Sequence, residues 1–128
     1  MRGKKAPSQR QLRVAEEIQH VLATLLIHNN FFITGLKASY IMLTEVDISP
    51  DLSFARLYVR AIPPVDTAEQ VALLKAHKGI FRKEIGRQIR LRIVPELDFV
   101  VDTRMEQAER IEQLLNSPKV KADIESEE

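Results

Sequence analysis

Between Lys75 and Arg92 the chain sets Lys75, Lys78, Arg82, Lys83, Arg87, Arg90 and Arg92 against one acid, Glu84, for a net charge of +6. Cations at this density suit a polyanion. Each Lys or Arg that neutralises a phosphate releases condensed counterions, and that gain requires no base to be read. A second basic block opens the chain: Arg2, Lys4, Lys5, Arg10 and Arg13 carry +5 with no acid up to residue 13. Residues 14–74 carry −4 and residues 93–128 carry −6, so the overall +1 conceals a segregation that points to a polyanion-facing surface.

Other chemistries find no support. The 128 residues include no cysteine, which removes disulfide scaffolds, Cys-based zinc or iron–sulfur sites and a Cys nucleophile. His20, His28 and His77 have no metal-ligand spacing, and no H-E-x-x-H, P-loop or nucleophile-elbow pattern occurs. Glu16-Glu17 lies near a helix start, where acids complement the dipole. No acid–base pair is placed together. No catalytic residue, metal or cofactor is therefore expected. The basic start is not followed by an apolar run with a cleavage site, and the most apolar stretch, Val21 to Ile33, is interrupted by His28, Asn29 and Asn30. The expectation is one soluble, cytoplasmic domain without a membrane partner, and a monomer.

The elements that must position these cations follow from periodicity. Leu12, Ala15, Ile18, Leu22 and Leu25, widened by Val14, Val21 and Leu26, predict a first helix with Ser8 as N-cap. Its basic first turn sits badly with the helix dipole unless those charges face phosphates. Two strands follow. Met42, Thr44, Val46 and Ile48 are assigned to the core face of the first, and Ala55, Leu57, Val59 and Ala61 to that of the second. Opposed residues should then have numbers summing to an odd value, and sums near 101 or 103 set Arg56 against Glu45 or Asp47. Tyr58 falls on the charged face of the second strand.

Asp66 or Thr67 is expected to cap the next helix, with Thr67 and Gln70 as a capping box and Val71, Leu73, Leu74 and Ala76 on its apolar side. Gly79 predicts a bend. Beyond it, Phe81, Ile85, Gln88 and Ile89 share one side of a helix, and Arg82, Lys83, Arg87 and Arg90 the other. Leu97, Phe99 and Val101 predict a third strand. Thr103 and Glu106 predict a capped last helix burying Met105, Ala108, Ile111 and Leu115.

The order helix-strand-strand-helix-helix-strand-helix gives an α+β fold: a three-stranded sheet with helices packed on one face. Residues 1–9 are read as a basic arm, 10–117 as the domain and 118–128 as an acidic disordered tail. A helix pair interrupted at a glycine, between the second and third strands, is the arrangement of a type II KH domain. KH domains clamp nucleic-acid backbone at that junction, usually through G-x-x-G. Here the junction reads Ala76-His77-Lys78-Gly79. The candidate RNA contacts are Lys75, Lys78, Arg82, Lys83, Arg87, Arg90 and Arg92, with Gly79 admitting close backbone approach and Arg10 and Arg13 as a second group. The alternative for the cluster is the solvated side of an amphipathic helix.

Three blocks carry a resemblance to a known family. Arg13-Val14-Ala15-Glu16-Glu17-Ile18, the run Thr44 to Ser53 leading into Ala55-Arg56-Leu57-Tyr58-Val59, and Arg90 to Leu97 with Phe99 and Asp102 are similar to segments of bacterial ribosome-binding factor A. The resemblance implies a type II KH-like domain with an A-x-G kink, where this chain has His77-Lys78-Gly79, and it lacks the family's D-P-R stretch after the first helix. It further implies an assembly factor that binds the immature free small (30S) ribosomal subunit and its rRNA. Such factors support late maturation and 5′-end processing of 16S rRNA, including in the cold, with GTPase assembly factors involved in release. Two other readings stay open: a protein–protein adaptor using the acidic block from Glu106 to Glu128, and a generic KH-like regulator of single-stranded RNA.

Overall fold

The structure is a computed structural model that describes residues 6–28 and 33–116. The expected arm and tail fall mostly on 1–5 and 117–128, outside the described residues.

Helix α1, Gln9–His28, begins at Ser8, whose Oγ accepts from Gln11 N at 3.1 Å while Gln11 Oε1 accepts from Ser8 N at 2.9 Å. Each side chain accepts from the other residue's otherwise orphaned N–H, a reciprocal capping box that compensates a first turn without acids. The buried stripe of α1 runs through Val14, Ile18, Val21, Leu22, Leu25 and Leu26, whereas Leu12 is half exposed. The expected stripe was therefore rotated: Leu12 lies outside it, and Gln11 is buried instead, donating from Nε2 to Ile48 O at 2.9 Å. Gly35 takes φ 87°, a left-handed conformation that suits glycine, and a single 3-10 turn, Ala38–Tyr40, leads into the sheet.

Strands β1, Ile41–Ile48, and β2, Phe54–Ala61, pair antiparallel. Downstream of Thr44 the register sets Asp47 opposite Arg56 and Glu45 opposite Tyr58, matching the expected odd sum. Upstream, Leu43 faces Val59 and Met42 faces Arg60, because a bulge at Thr44 inserts one unpaired residue. Parity inverts there: Ile41 is buried and Met42 is exposed, correcting the assignment of Met42 to the core face. The connecting turn is held by Asp51, whose Oδ1 accepts from Ser53 N at 3.1 Å, Ser53 Oγ at 2.7 Å and Ser49 Oγ at 2.8 Å. Those bonds hold the Asp51 carboxyl below its usual range.

Strand β3, Glu96–Val101, pairs parallel with the central β2, so the sheet order is β1-β2-β3. Parallel neighbours need a long crossover, and α2, Thr67–Ala76, with α3, Lys78–Gln88, supplies it. Helices α1, α2 and α3 bury one sheet face. Ile18, Leu22, Leu57, Val59, Leu74 and Ile85 fill that layer, and Phe81 meets Phe99 edge-on at 5.7 Å. Ala76 is exposed rather than apolar-side core.

Neither expected capping box forms, although the cap of α2 is one of the two expected residues. Asp66 caps α2, accepting from Ala68 N at 3.2 Å, and Gln70 is no capping-box partner. Gln70 is buried and spans to the α1–β1 connection, accepting from Lys37 N at 2.8 Å and donating to Gly35 O at 3.3 Å. At α4, Arg104–Leu115, Thr103 makes no side-chain cap; Asp102 accepts from Arg104 N at 3.0 Å. Helix α4 buries none of its residues, so the expected inward side of Met105, Ala108, Ile111 and Leu115 is exposed. Its first turn meets the other sheet face, where Arg104 pairs with Glu45 and Asp102 and stacks over Tyr58 at 5.3 Å. No helix among the described residues is long and apolar enough to cross a membrane.

Candidate nucleic-acid interface

The joint between α2 and α3 lies at His77, with φ −117° and ψ 23°, rather than at Gly79. His77 N bonds Leu73 O and Leu74 O at 3.2 Å, and the His77 carbonyl accepts from Ile80 N at 3.0 Å to start α3. The ring supplies what a left-handed glycine would otherwise provide. Its Nδ1 lies 2.9 Å from Leu73 O, and since a carbonyl only accepts, Nδ1 carries the proton there. One residue thus caps two helices.

Gly79 falls in the first turn of α3, without a positive φ, and a Cβ built on it would meet nothing within 4 Å. Packing within the chain does not require a glycine at this point. Its backbone lies bare beside Lys78 and, one helical turn on, Lys83. Gly86 differs: an added Cβ would stand 3.0 Å from Val94 Cγ2.

The structure divides the predicted cations by what already holds them. Arg82 is half-buried and spent on the chain itself: Nε donates to Pro95 O and Nη2 to Val94 O, each at 3.0 Å, while Nη1 lies 3.4 Å from Glu96. Lys78 reaches the same Glu96 at 3.8 Å. Arg87 pairs with Glu84 at 2.7 Å, and Glu84 also accepts from Gln88, which is exposed rather than on the core side. Lys75, Lys83, Arg90 and Arg92 are exposed and have no carboxylate partner among the described residues. Lys75 stands in the last turn of α2, where a cation complements the helix dipole.

Arg10 and Arg92 come together. They line one groove of about 310 Å³ with Leu91, Ile93 and the turn Pro50–Ser53. Thus the N-terminal basic block and the end of the central one meet, though 82 positions separate them. Arg13 and Arg90 are exposed outside that groove. Sequence reasoning missed Glu96, which draws Lys78 and Arg82 toward β3, and the Val94 and Pro95 carbonyls that fix Arg82. No local signal announces a backbone acceptor twelve or thirteen residues away. Among the described residues, no group of three or more His, Asp or Glu side chains is arranged to hold a metal.

Arranged this way, the outward side of α3 offers point charges and uncovered backbone, which suits phosphate and shape contacts, and a groove of about 490 Å³ between α1 and α3 is lined by Thr24, Leu25, His28, Ile80, Glu84, Arg87 and Gln88. Known proteins place the chain. A relative named ribosome-binding factor A from Paramagnetospirillum magneticum is 44% identical over 97% of this chain and 87% of its own length. The solution structure of a Thermotoga maritima protein, described as a candidate ribosome binding factor A, superposes with TM-score 0.63 at 30% identity, covering 74% of this chain and 89% of that one. A Thermus thermophilus ribosome binding factor A homology model, fitted into the cryo-EM map of a 30S complex, matches the fold with TM-score 0.53 at 20% identity over 70% of this chain and 91% of that one. The family model described as ribosome-binding factor A matches residues 10–115, and the chain belongs to that family.

Proposed function

We propose that this protein is an assembly factor that binds the immature small ribosomal subunit through its rRNA. It grips phosphates with the outward side of α3 and with the groove shared by Arg10 and Arg92. Lys75, Lys83, Arg90 and Arg92 supply charge free of internal carboxylates, and the exposed Arg13 of α1 adds to it; Lys78 and Arg87 contribute while sharing Glu96 and Glu84. Gly79 lets a phosphate approach the backbone. Binding of this kind supports late maturation and 5′-end processing of 16S rRNA, including in the cold, and ends with release by GTPase assembly factors. The protein acts as a cytoplasmic monomer, and no catalytic group or cofactor enters the mechanism.

The observation that carries the reading is the family match over residues 10–115, joined to exposed cations without carboxylate partners among the described residues, on α3 and in the segments flanking it. The fitted complex of the Thermus thermophilus protein with the 30S subunit supports the choice of partner. Co-sedimentation with purified small and large subunits over a salt series tests it. Binding to the small subunit alone, falling with salt by a log–log slope of roughly 0.7–0.9 per phosphate contact, is expected. Equal binding to both subunits, or none at low salt, would overturn it.

A further inference from the structure

We propose that α4 is a second docking element, which inserts its apolar face into a protein groove rimmed by Lys and Arg on the small subunit. The proposal rests on the function just given and adds a protein contact to the rRNA contact. Arg104, Ala108, Ile111 and Leu115 recur at helical spacing along one face, with Leu114 beside them. Ile111, Leu114 and Leu115 are 58%, 64% and 54% exposed, and α4 buries nothing. An apolar face of this kind at i, i+3 and i+7 is the form in which a helix presents anchors to a groove.

The face is not loosely hung. Arg104 sits at its N-terminal end and is fixed by Asp102, Glu45 and the Tyr58 ring. Asp102 in turn accepts from Thr44, the residue that the β1 bulge leaves unpaired. On the flank, Arg60 reaches Glu106 at 3.8 Å and touches the Met105 sulfur. A helix tethered through its first turn presents its remaining turns with part of the ordering cost already met.

Charge selects the occupant. From Met105 to the end, the chain carries Arg110, Lys119 and Lys121 against seven acids, a net −4. On α4 itself Glu112 borders the apolar stripe, while Glu106 and Glu109 lie farther round the helix. The acidic excess of this C-terminal stretch disfavours phosphates and a second copy of itself, whereas a basic-rimmed protein groove complements both that excess and the apolar face of α4, which by itself is net −1 over Arg104–Leu115.

The test combines two variants with photo-crosslinking on purified small subunits. A photoreactive phenylalanine analogue replaces Leu114 in one protein and Lys83 in another. The Leu114 probe is expected to crosslink to a small-subunit protein and the Lys83 probe to rRNA. The double variant Ile111→Glu/Leu115→Glu should keep the wild-type melting temperature, since neither residue is buried, and should bind about tenfold more weakly with an unchanged salt slope. A Leu114 crosslink to rRNA, a crosslink to a second copy of this chain, or undiminished binding by the double variant overturns the docking proposal alone. Failure of the wild-type protein to sediment with small subunits overturns the assembly-factor reading and this proposal with it.

Discussion

Replacing Arg82 and Lys83 in turn separates structure from binding on adjacent residues of one helix. Arg82 makes two bonds of 3.0 Å to the carbonyls of Val94 and Pro95, and its side chain is 36% exposed. A hydrogen bond to a charged group contributes about 1.5–3 kcal/mol, and exposure of this degree roughly halves that through screening. Arg82→Ala should therefore cost about 1.5–3 kcal/mol, which for a chain of this size lowers the melting temperature by roughly 5–12 °C. Arg82→Lys keeps the charge but loses the planar fork, so it should lose nearly as much stability. Its salt slope for subunit binding should stay at the wild-type value. Lys83 has no such anchor; Lys83→Ala should change stability by no more than about 0.5 kcal/mol and flatten the slope by roughly 0.7–0.9. Thermal unfolding by circular dichroism, paired with co-sedimentation well below the melting temperature, reads both quantities. An Arg82→Ala protein that melts like the wild type and binds with a flattened slope would contradict the division of roles.

Other changes probe separate parts of the fold. The Asp102 carboxyl is held well below its ordinary range, first by the bonds from Arg104 and then by Thr44, against the opposing effect of its burial. Because the folded value is depressed, its contribution is complete above about pH 5 and is lost as pH falls below about 4; Asp102→Asn should cost about 2 kcal/mol at pH 7, with the gap to wild type narrowing in urea melts at pH 3. Gly79→Ala should stabilise α3 by up to about 1 kcal/mol because open space surrounds the new methyl, while weakening RNA binding if a phosphate needs the bare backbone; calorimetry and co-sedimentation measure the two effects. Gln70→Leu strands the Lys37 N–H and should destabilise the protein by about 1–3 kcal/mol in urea unfolding.

The parts of the fold legible in the sequence are those governed by local repetition. In β2, alternation identified Ala55, Leu57, Val59 and Ala61 as core without error, because the strand is central and unbroken. In β1 the same rule held from Glu45 onward and failed at Met42, since a bulge leaves no trace in a run of strand-compatible side chains. Gln70 fits a capping-box pattern, yet a backbone donor 33 positions earlier claims its side chain. The last helix shows the opposite limit. Its periodicity was real, but periodicity reports only that a face favours burial, not that this chain supplies the cover. For the candidate site, charge density pointed to α3 and both basic blocks. It could not distinguish Arg82, bound to carbonyls, from Lys83, which is free, because that difference depends on where the chain returns after Arg92.

Counting cations would not have selected the side of the molecule proposed to face RNA. The sheet surface opposite the helices also carries Arg56, Arg60 and Arg104. There, however, Arg56 meets Asp98 at 3.3 Å, Arg60 meets Glu106, and Arg104 meets Glu45 and Asp102. Each guanidinium on that surface is matched by a carboxylate, so its field is short-ranged, whereas Lys75, Lys83, Arg90 and Arg92 keep theirs. With α4, net −1, starting from the neutralised side, the unmatched positive charge of the near-neutral chain lies on and next to α3. On the proposed function a phosphate surface would attract the α3 side more strongly than the neutralised side, so encounter would be oriented before contact. Screening shortens that reach to about 10 Å at 0.1 M salt. The association rate should therefore fall with ionic strength more steeply than the dissociation rate rises, and Lys83→Glu should remove most of the difference. Stopped-flow association at two salt concentrations measures this; a salt effect confined to dissociation would mean that contact, rather than approach, is where the charges act.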